Sequence, residues 1–165
     1  MKDLIVKHGV FTGLALIVLF LGAYMVSPER MISQGLYWSS MIITLTGMSW
    51  ACVADRRLAS GDYPFKAPLR VAFGVFALSS FMYHAFDLLM FMVVNPELTA
   101  MQLTATLDSI EKLTPYFGED WAEQTTAMLE ENPPAPSLRN SFFDYTFGLI
   151  GGFVWAAIIA LFVKR

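Results

Sequence analysis

Four long apolar stretches, Gly9 to Val26, Leu36 to Ala54, Val71 to Val94 and Phe142 to Val163, run for 18 to 24 residues each. A helix rises about 1.5 Å per residue, so each stretch approaches or exceeds the roughly 30 Å hydrocarbon slab of a bilayer. Of the 165 residues 56% are hydrophobic and only 15% charged, too much apolar surface for one soluble core of this length. The sequence therefore predicts an all-α membrane protein with four transmembrane helices, built as one membrane domain over residues 1–165. The first stretch has a basic start but no small-x-small site after Tyr24-Met25-Val26, so it is expected to be retained as a span rather than cleaved as a leader.

Lys and Arg fix the expected orientation, because positive flanks stay cytoplasmic during insertion. Lys2, Lys7, Arg56, Arg57, Lys66, Arg70, Lys164 and Arg165 fall on one side, against Arg30, Lys112 and Arg139 on the other. Both termini are thus expected in the cytoplasm, with the chain in a bacterial inner membrane. The segment from Asn95 to Asn140 falls outside and holds eight acidic and two basic residues, which accounts for the chain's net charge of −3. Cys52 is the only cysteine and reads as a small packing residue.

The connections follow from local signals. Ser27-Pro28-Glu29-Arg30 closes the first span, and the short turn before Leu36 makes its neighbour antiparallel. Tyr24, Tyr37 and Trp38 gather at the outer water boundary, Trp50 and Tyr63 at the inner one. Between Asp55 and Leu69, Ser60-Gly61-Asp62 with Pro64 and Pro68 predicts a turn-rich, basic connector without regular helix. Outside, Asn95-Pro96-Glu97 is a helix start, with Leu103, Leu107, Ile110 and Leu113 at helical spacing up to an expected break at Thr114-Pro115. A second amphipathic helix is expected after Gly118, ending at Asn132-Pro133-Pro134, so that the outer segment forms a helical hairpin between the third and fourth spans.

Chemistry concentrates on the third span. Ser80, His84 and Asp87 fall at i, i+4 and i+7 and share a face, with Asp87 seven residues before Val94. A carboxylate at that depth costs about 2.5–3.5 kcal/mol on insertion scales, so it must face protein, water or a partner. His84 is the expected hydrogen-bond donor or counter-charge. Asp144 and Tyr145 lie nearby on the fourth span, Asp144 reading as a carboxylate of its first turn. The favoured reading is structural, with Asp87 joining helices or clasping another subunit; the rival is a protonatable Asp87/His84 pair that relays a proton or binds a cation.

Small residues mark expected packing faces: Gly9 and Gly13 on the first span, Gly47 with Ser40 and Thr44 on the second, and Gly148, Gly151 and Gly152 on the fourth. The outer carboxylates Glu119, Asp120, Glu123, Glu130 and Glu131 lack the spacing of a calcium loop and read as a solvated helix face. HExxH, CxxC, P-loop, GxSxG and dinucleotide fingerprints are absent from the sequence, as is a basic aromatic surface for nucleic acid. These absences point to no catalytic residues, no metal, no cofactor and no nucleic acid.

The whole chain resembles the small four-helix inner-membrane proteins of Bacteroidota grouped as domain of unknown function 4199. The likeness lies in Lys7-His8-Gly9-Val10-Phe11-Thr12-Gly13-Leu14, in Asp55-Arg56-Arg57 followed by Gly61, Phe65 and Ala67, and in Val94-Asn95-Pro96-Glu97-Leu98. It continues into the closing glycine-bearing span and its basic tail. The resemblance implies the four-helix layout and supplies no catalytic residues; His84 and Asp87 match no motif of the family. Together these readings predict a non-enzymatic inner-membrane accessory or structural subunit, surrounded by lipid and packed with another membrane protein or with copies of itself. The alternative is a small proton- or cation-coupled transporter using Asp87 and His84, as an oligomer.

Overall fold

The computed structural model describes residues 2–59, 61–131, 133 and 136–164. Ser60, Asn132, Pro134 and Arg165, which entered the expectations above, lie outside the described residues. Seven α-helices are found among those described: α1 (Lys2–Val26), α2 (Pro28–Met31), α3 (Gln34–Leu58), α4 (Lys66–Leu89), α5 (Glu97–Phe117), α6 (Glu119–Glu131) and α7 (Leu138–Val163). Residues Met90–Val94 continue α4 as a π-helical turn. The apolar stretches fall inside α1, α3, α4 with its π-helical extension, and α7, and these four are long and apolar enough to cross a membrane.

Local chemistry explains where the helices start and stop. α1 ends because Pro28 cannot continue its hydrogen-bond ladder; the proline instead takes the first turn of α2, where a missing N–H costs nothing. α3 is the least apolar span, with a mean hydropathy of 1.2 against 2.2 for α1 and α7. Its hydroxyls are nonetheless satisfied internally: Ser39, Ser40, Thr44 and Thr46 each donate to a carbonyl three or four residues back, at 2.7–3.0 Å. Back-bonded hydroxyls bring no unmet polar group into lipid.

Two expected breaks fall elsewhere. Pro68 does not stop a helix but sits in the first turn of α4, which begins at Lys66, because the first-turn amides have no intrahelical acceptor to lose. Pro115 lies inside α5, in its last turn. The chain turns instead at Gly118, where φ of +92° and ψ of 161° suit only glycine. At the start of α5 the Asn95 side chain accepts from the Glu97 amide at 3.1 Å, as the start signal predicts.

The four long helices run antiparallel in sequence and pack as a rhombus. α4 lies against α1, α3 and α7, and α3 also touches α1 and α7, so α3 and α4 form the short diagonal with α1 and α7 at opposite corners. α4 is the central span, and on α3 Ser39 and Thr46 stay exposed, their hydroxyls met by their own helix. The bundle has a near end, carrying the α3–α4 connection, and a far end, carrying α2, α5 and α6.

Close approach in this rhombus depends on glycine. A Cβ at Gly9 would stand 2.9 Å from Leu78, one at Gly13 2.8 Å from Met82, and one at Gly74 2.8 Å from Ile5. Gly47 lies against Thr12, and Gly152 against the Phe76 ring. Gly148 and Gly151 depart from the expected packing face, since a Cβ at either would meet nothing within 4 Å. One turn earlier, the Tyr145 ring stands between α7 and α4, and α7 is spaced from its neighbour there by an aromatic side chain rather than by backbone contact. α6 makes its contact with α5, where Phe117 packs on Trp121 with centroids 5.0 Å apart.

Candidate functional site

A dry layer closes the near half of the bundle. Met48, Ala51, Cys52, Val71, Ala72 and Val75 are all 0% exposed and pack with Ala156 and Ile159. The Cys52 thiol is buried there and donates to the Pro68 carbonyl at 3.3 Å. Outside this layer, Tyr63 in the α3–α4 connection donates to the Asp55 carboxylate at 2.8 Å. Burial, and then that hydrogen bond to Asp55, push the Tyr63 phenol above its ordinary ionisation range. Arg56 donates to the Val163 carbonyl, capping the last turn of α7 and tying it to α3.

Polar groups begin on the far side of the layer. Ser40 and Thr44 of α3 and Ser79, Ser80 and Tyr83 of α4 line a small void of about 80 Å³. Ser79 is fully buried and donates to the Phe76 carbonyl at 3.1 Å. Above it Tyr37 of α3 and Tyr83 of α4 both pack on the Phe20 ring, in the neighbourhood of the Asp87 carboxylate.

His84 directs Nδ1 to its own helix rather than to Asp87. The His84 Nδ1–H donates to the Ser80 carbonyl at 2.8 Å, and Ser80 Oγ stands 3.4 Å from the same nitrogen. His84 remains close enough to act on Asp87 electrostatically, as does Asp144. Its ring also meets Tyr145 edge-on at 5.8 Å, and the Tyr145 hydroxyl reaches across to donate to the Ala77 carbonyl at 3.2 Å. Ser80 and His84 thus help seat α7 on α4, and Asp87 also has Tyr83 in its neighbourhood, a residue the sequence reading passed over. The available signal was spacing: Tyr83 precedes Asp87 by four residues, within side-chain reach on a helix.

Asp144 is also displaced from its expected place. Ser137 caps α7 by accepting the Asn140 amide at 3.1 Å, so the helix starts at Leu138 and Asp144 belongs to its second turn. That shift carries it alongside Asp87. The two carboxylates line one cleft of about 300 Å³ at the far end, between α4, α5 and α7. Thr99 and Gln102 of α5, Ser141 of α7 and the apolar Phe91 complete its principal walls. The cleft lies directly beneath the π-helical turn, where the Asn95 amide bonds to the Met90 carbonyl five residues back at 2.9 Å. Wide turns of this kind recur at functional sites, and this one redirects the chain from α4 into α5 over Asp87.

Four membrane-crossing helices with a polar cleft at one end define a multi-pass α-helical membrane protein. Within that class, the chain belongs to the family described as Protein of unknown function (DUF4199), whose family model matches residues 7–165. Searches of curated proteins and of solved structures gave no match.

Proposed function

We propose that the chain is a non-enzymatic subunit of a larger assembly in a bacterial inner membrane, with both termini in the cytoplasm. The observation that carries this reading is the open face of α7, where Gly148 and Gly151 have nothing within 4 Å of a would-be Cβ at membrane depth. Glycine in a lipid-facing helix gains nothing from lipid, whereas it permits the backbone of another helix to approach closely. The orientation rests on the basic residues clustered at the near end, and the non-enzymatic role on a cleft whose carboxylates, amides and hydroxyls form a binding surface without an activated nucleophile.

Detergent extraction of native membranes tests the reading. The tagged chain should bring down one membrane partner, or a second copy of itself, in fixed stoichiometry, and Gly148→Leu should abolish that recovery while the isolated chain stays folded. Recovery of a lone monomer after chemical cross-linking in the intact membrane counts against it.

A second reading is favoured by one observation, the approach of Asp87, Asp144 and His84 at the far end. Proton- or cation-coupled transport would use these groups. The dry layer closes a single bundle, so a path would have to run between subunits. Reconstituted vesicles should then show a pH-dependent flux that Asp87→Asn removes; flux that survives the substitution eliminates this reading.

A further inference from the structure

We propose that the groove between α1 and α3 at the near end binds the phosphate of an anionic phospholipid, with Lys7, Arg57 and the Trp50 indole as donors and His8 and Phe11 as the ring wall. The site is independent of the assembly reading, because α1 and α7 stand at opposite corners of the rhombus.

Ring geometry fixes the place. Trp50 of α3 meets two rings of α1 edge-on, His8 at 5.3 Å and Phe11 at 5.9 Å between centroids. The His8 ring is itself held: a carbonyl only accepts, so Nδ1–H donates to Leu4 at 2.9 Å. Although packed across two helices, Trp50 stays 56% and Phe11 60% exposed, so the cluster faces outward rather than into the bundle. Tryptophan in such a position favours the headgroup level of a bilayer.

Helix periodicity then places the cations. Lys7 precedes Phe11 by four residues and Arg57 follows Trp50 by seven, so each shares a face with one of the rings. α1 and α3 run in opposite directions, which puts both cations on the near-end side of the rings, Lys7 by about 6 Å and Arg57 by about 10 Å along their axes. Both are exposed, and their long stems can lie on apolar surface while the charge reaches a headgroup.

The ligand chemistry follows from what is left unpaired. Among the described residues, the side chains of Lys7 and Arg57 and the Trp50 N–H have no ion-pair or hydrogen-bond partner. All three are donors with no acceptor atom, so the ligand must supply acceptors, as a phosphate diester does. Phe11 and Trp50 lie on spans apolar enough to cross a membrane, so acyl chains cover them and the phosphate belongs to a lipid. Asp55 is buried and met by Tyr63, which leaves Asp3, one turn from Lys7 on the same face, as the carboxylate beside the groove. Two cations against one carboxylate make the site positive, which favours a headgroup of net negative charge over a zwitterionic one.

Quenching of Trp50 by brominated lipid tests this. The chain carrying Trp38→Phe, Trp121→Phe and Trp155→Phe keeps Trp50 as its one tryptophan and reports on the lipids beside it. It is reconstituted in phosphatidylcholine bilayers containing phosphatidylglycerol, phosphatidylethanolamine or phosphatidylcholine with acyl chains brominated near the headgroup. Phosphatidylglycerol should quench with an association constant at least about threefold above that of phosphatidylcholine, and Lys7→Gln with Arg57→Gln should bring the ratio to about one. Lys66→Gln with Lys164→Gln removes the same charge from the α4 and α7 side and should leave the preference intact. A check without tryptophan replacement is native mass spectrometry from mixed micelles, in which the chain should retain phosphatidylglycerol over phosphatidylcholine and Arg57→Gln should lose that preference. Equal quenching by all three lipids overturns the proposal, as does phosphatidylethanolamine quenching as strongly as phosphatidylglycerol. A preference that survives Lys7→Gln with Arg57→Gln, or that falls equally in both double variants, overturns it too.

Discussion

Gly148 and Gly152 are four residues apart on one helix, yet alanine at the two positions should have opposite effects. A Cβ at Gly152 would enter the Phe76 ring, overlapping Cδ1 and Cε1 and standing 2.6 Å from Cζ. A ring flanked by packed helices has little freedom to retreat, and overpacking of this kind costs about 1–3 kcal/mol. Alanine returns up to about 1 kcal/mol through its higher helix propensity, which leaves Gly152→Ala destabilising by about 1–2 kcal/mol. Gly148→Ala meets nothing, so only the propensity term acts and the change is neutral or stabilising by up to about 1 kcal/mol. The gap between the variants, about 2 kcal/mol, is roughly a thirtyfold difference in the unfolding equilibrium. Reversible unfolding of the isolated chain in mixed micelles, followed by tryptophan fluorescence, resolves a difference of that size. Equal destabilisation by both variants, or a larger effect at Gly148, would refute the packing assigned to α7.

Three further outcomes follow from single contacts. Tyr145→Phe keeps the ring contacts to Phe81 and His84 but loses the hydrogen bond to the Ala77 carbonyl, and should cost about 0.5–1.5 kcal/mol in the same unfolding assay. Gly118→Ala forces a side chain onto a backbone with φ of +92°, a strain of about 1–3 kcal/mol; hydrogen exchange should accelerate in α6 while α1, α3 and α4 are unchanged. Tyr63 ionises later in the folded chain than in the unfolded one, so its stabilising effect is complete below about pH 10, its ordinary value, and is lost as pH rises further. Tyr63→Phe should therefore flatten the alkaline limb of the stability profile, and an unchanged limb would remove Tyr63 as its source.

The four spans could be read directly from residue order because lipid imposes a local rule. A backbone in hydrocarbon must satisfy its own hydrogen bonds, so about 20 consecutive apolar residues become a helix whatever surrounds them. Turn chemistry was legible for the same reason: Asn95 caps α5 and Pro28 ends α1 through atoms only a few residues away. Pro68 was misread because a proline's cost depends on its place within a helix and falls near zero within the first turn, whereas Pro115 sits in the last turn of α5, only three residues before the turn at Gly118.

The site was only partly legible. Asp87 announced itself by the cost of burying a carboxylate, but its partner depends on side-chain direction, which sequence spacing leaves open. His84 points its Nδ1 back to Ser80, and the rings near Asp87 include Tyr83 and, from another helix, Tyr37. The two carboxylates share a cleft with Thr99 only because α5 and α7 fold over the end of α4. By itself, then, the sequence determined the solvent, the number of rods and most of their ends, since those depend on forces acting over one or two turns. Only the tertiary structure decided which glycines touch a neighbour, which side chains surround Asp87 and where a cleft opens, because these depend on how helices far apart in the chain are rotated against one another.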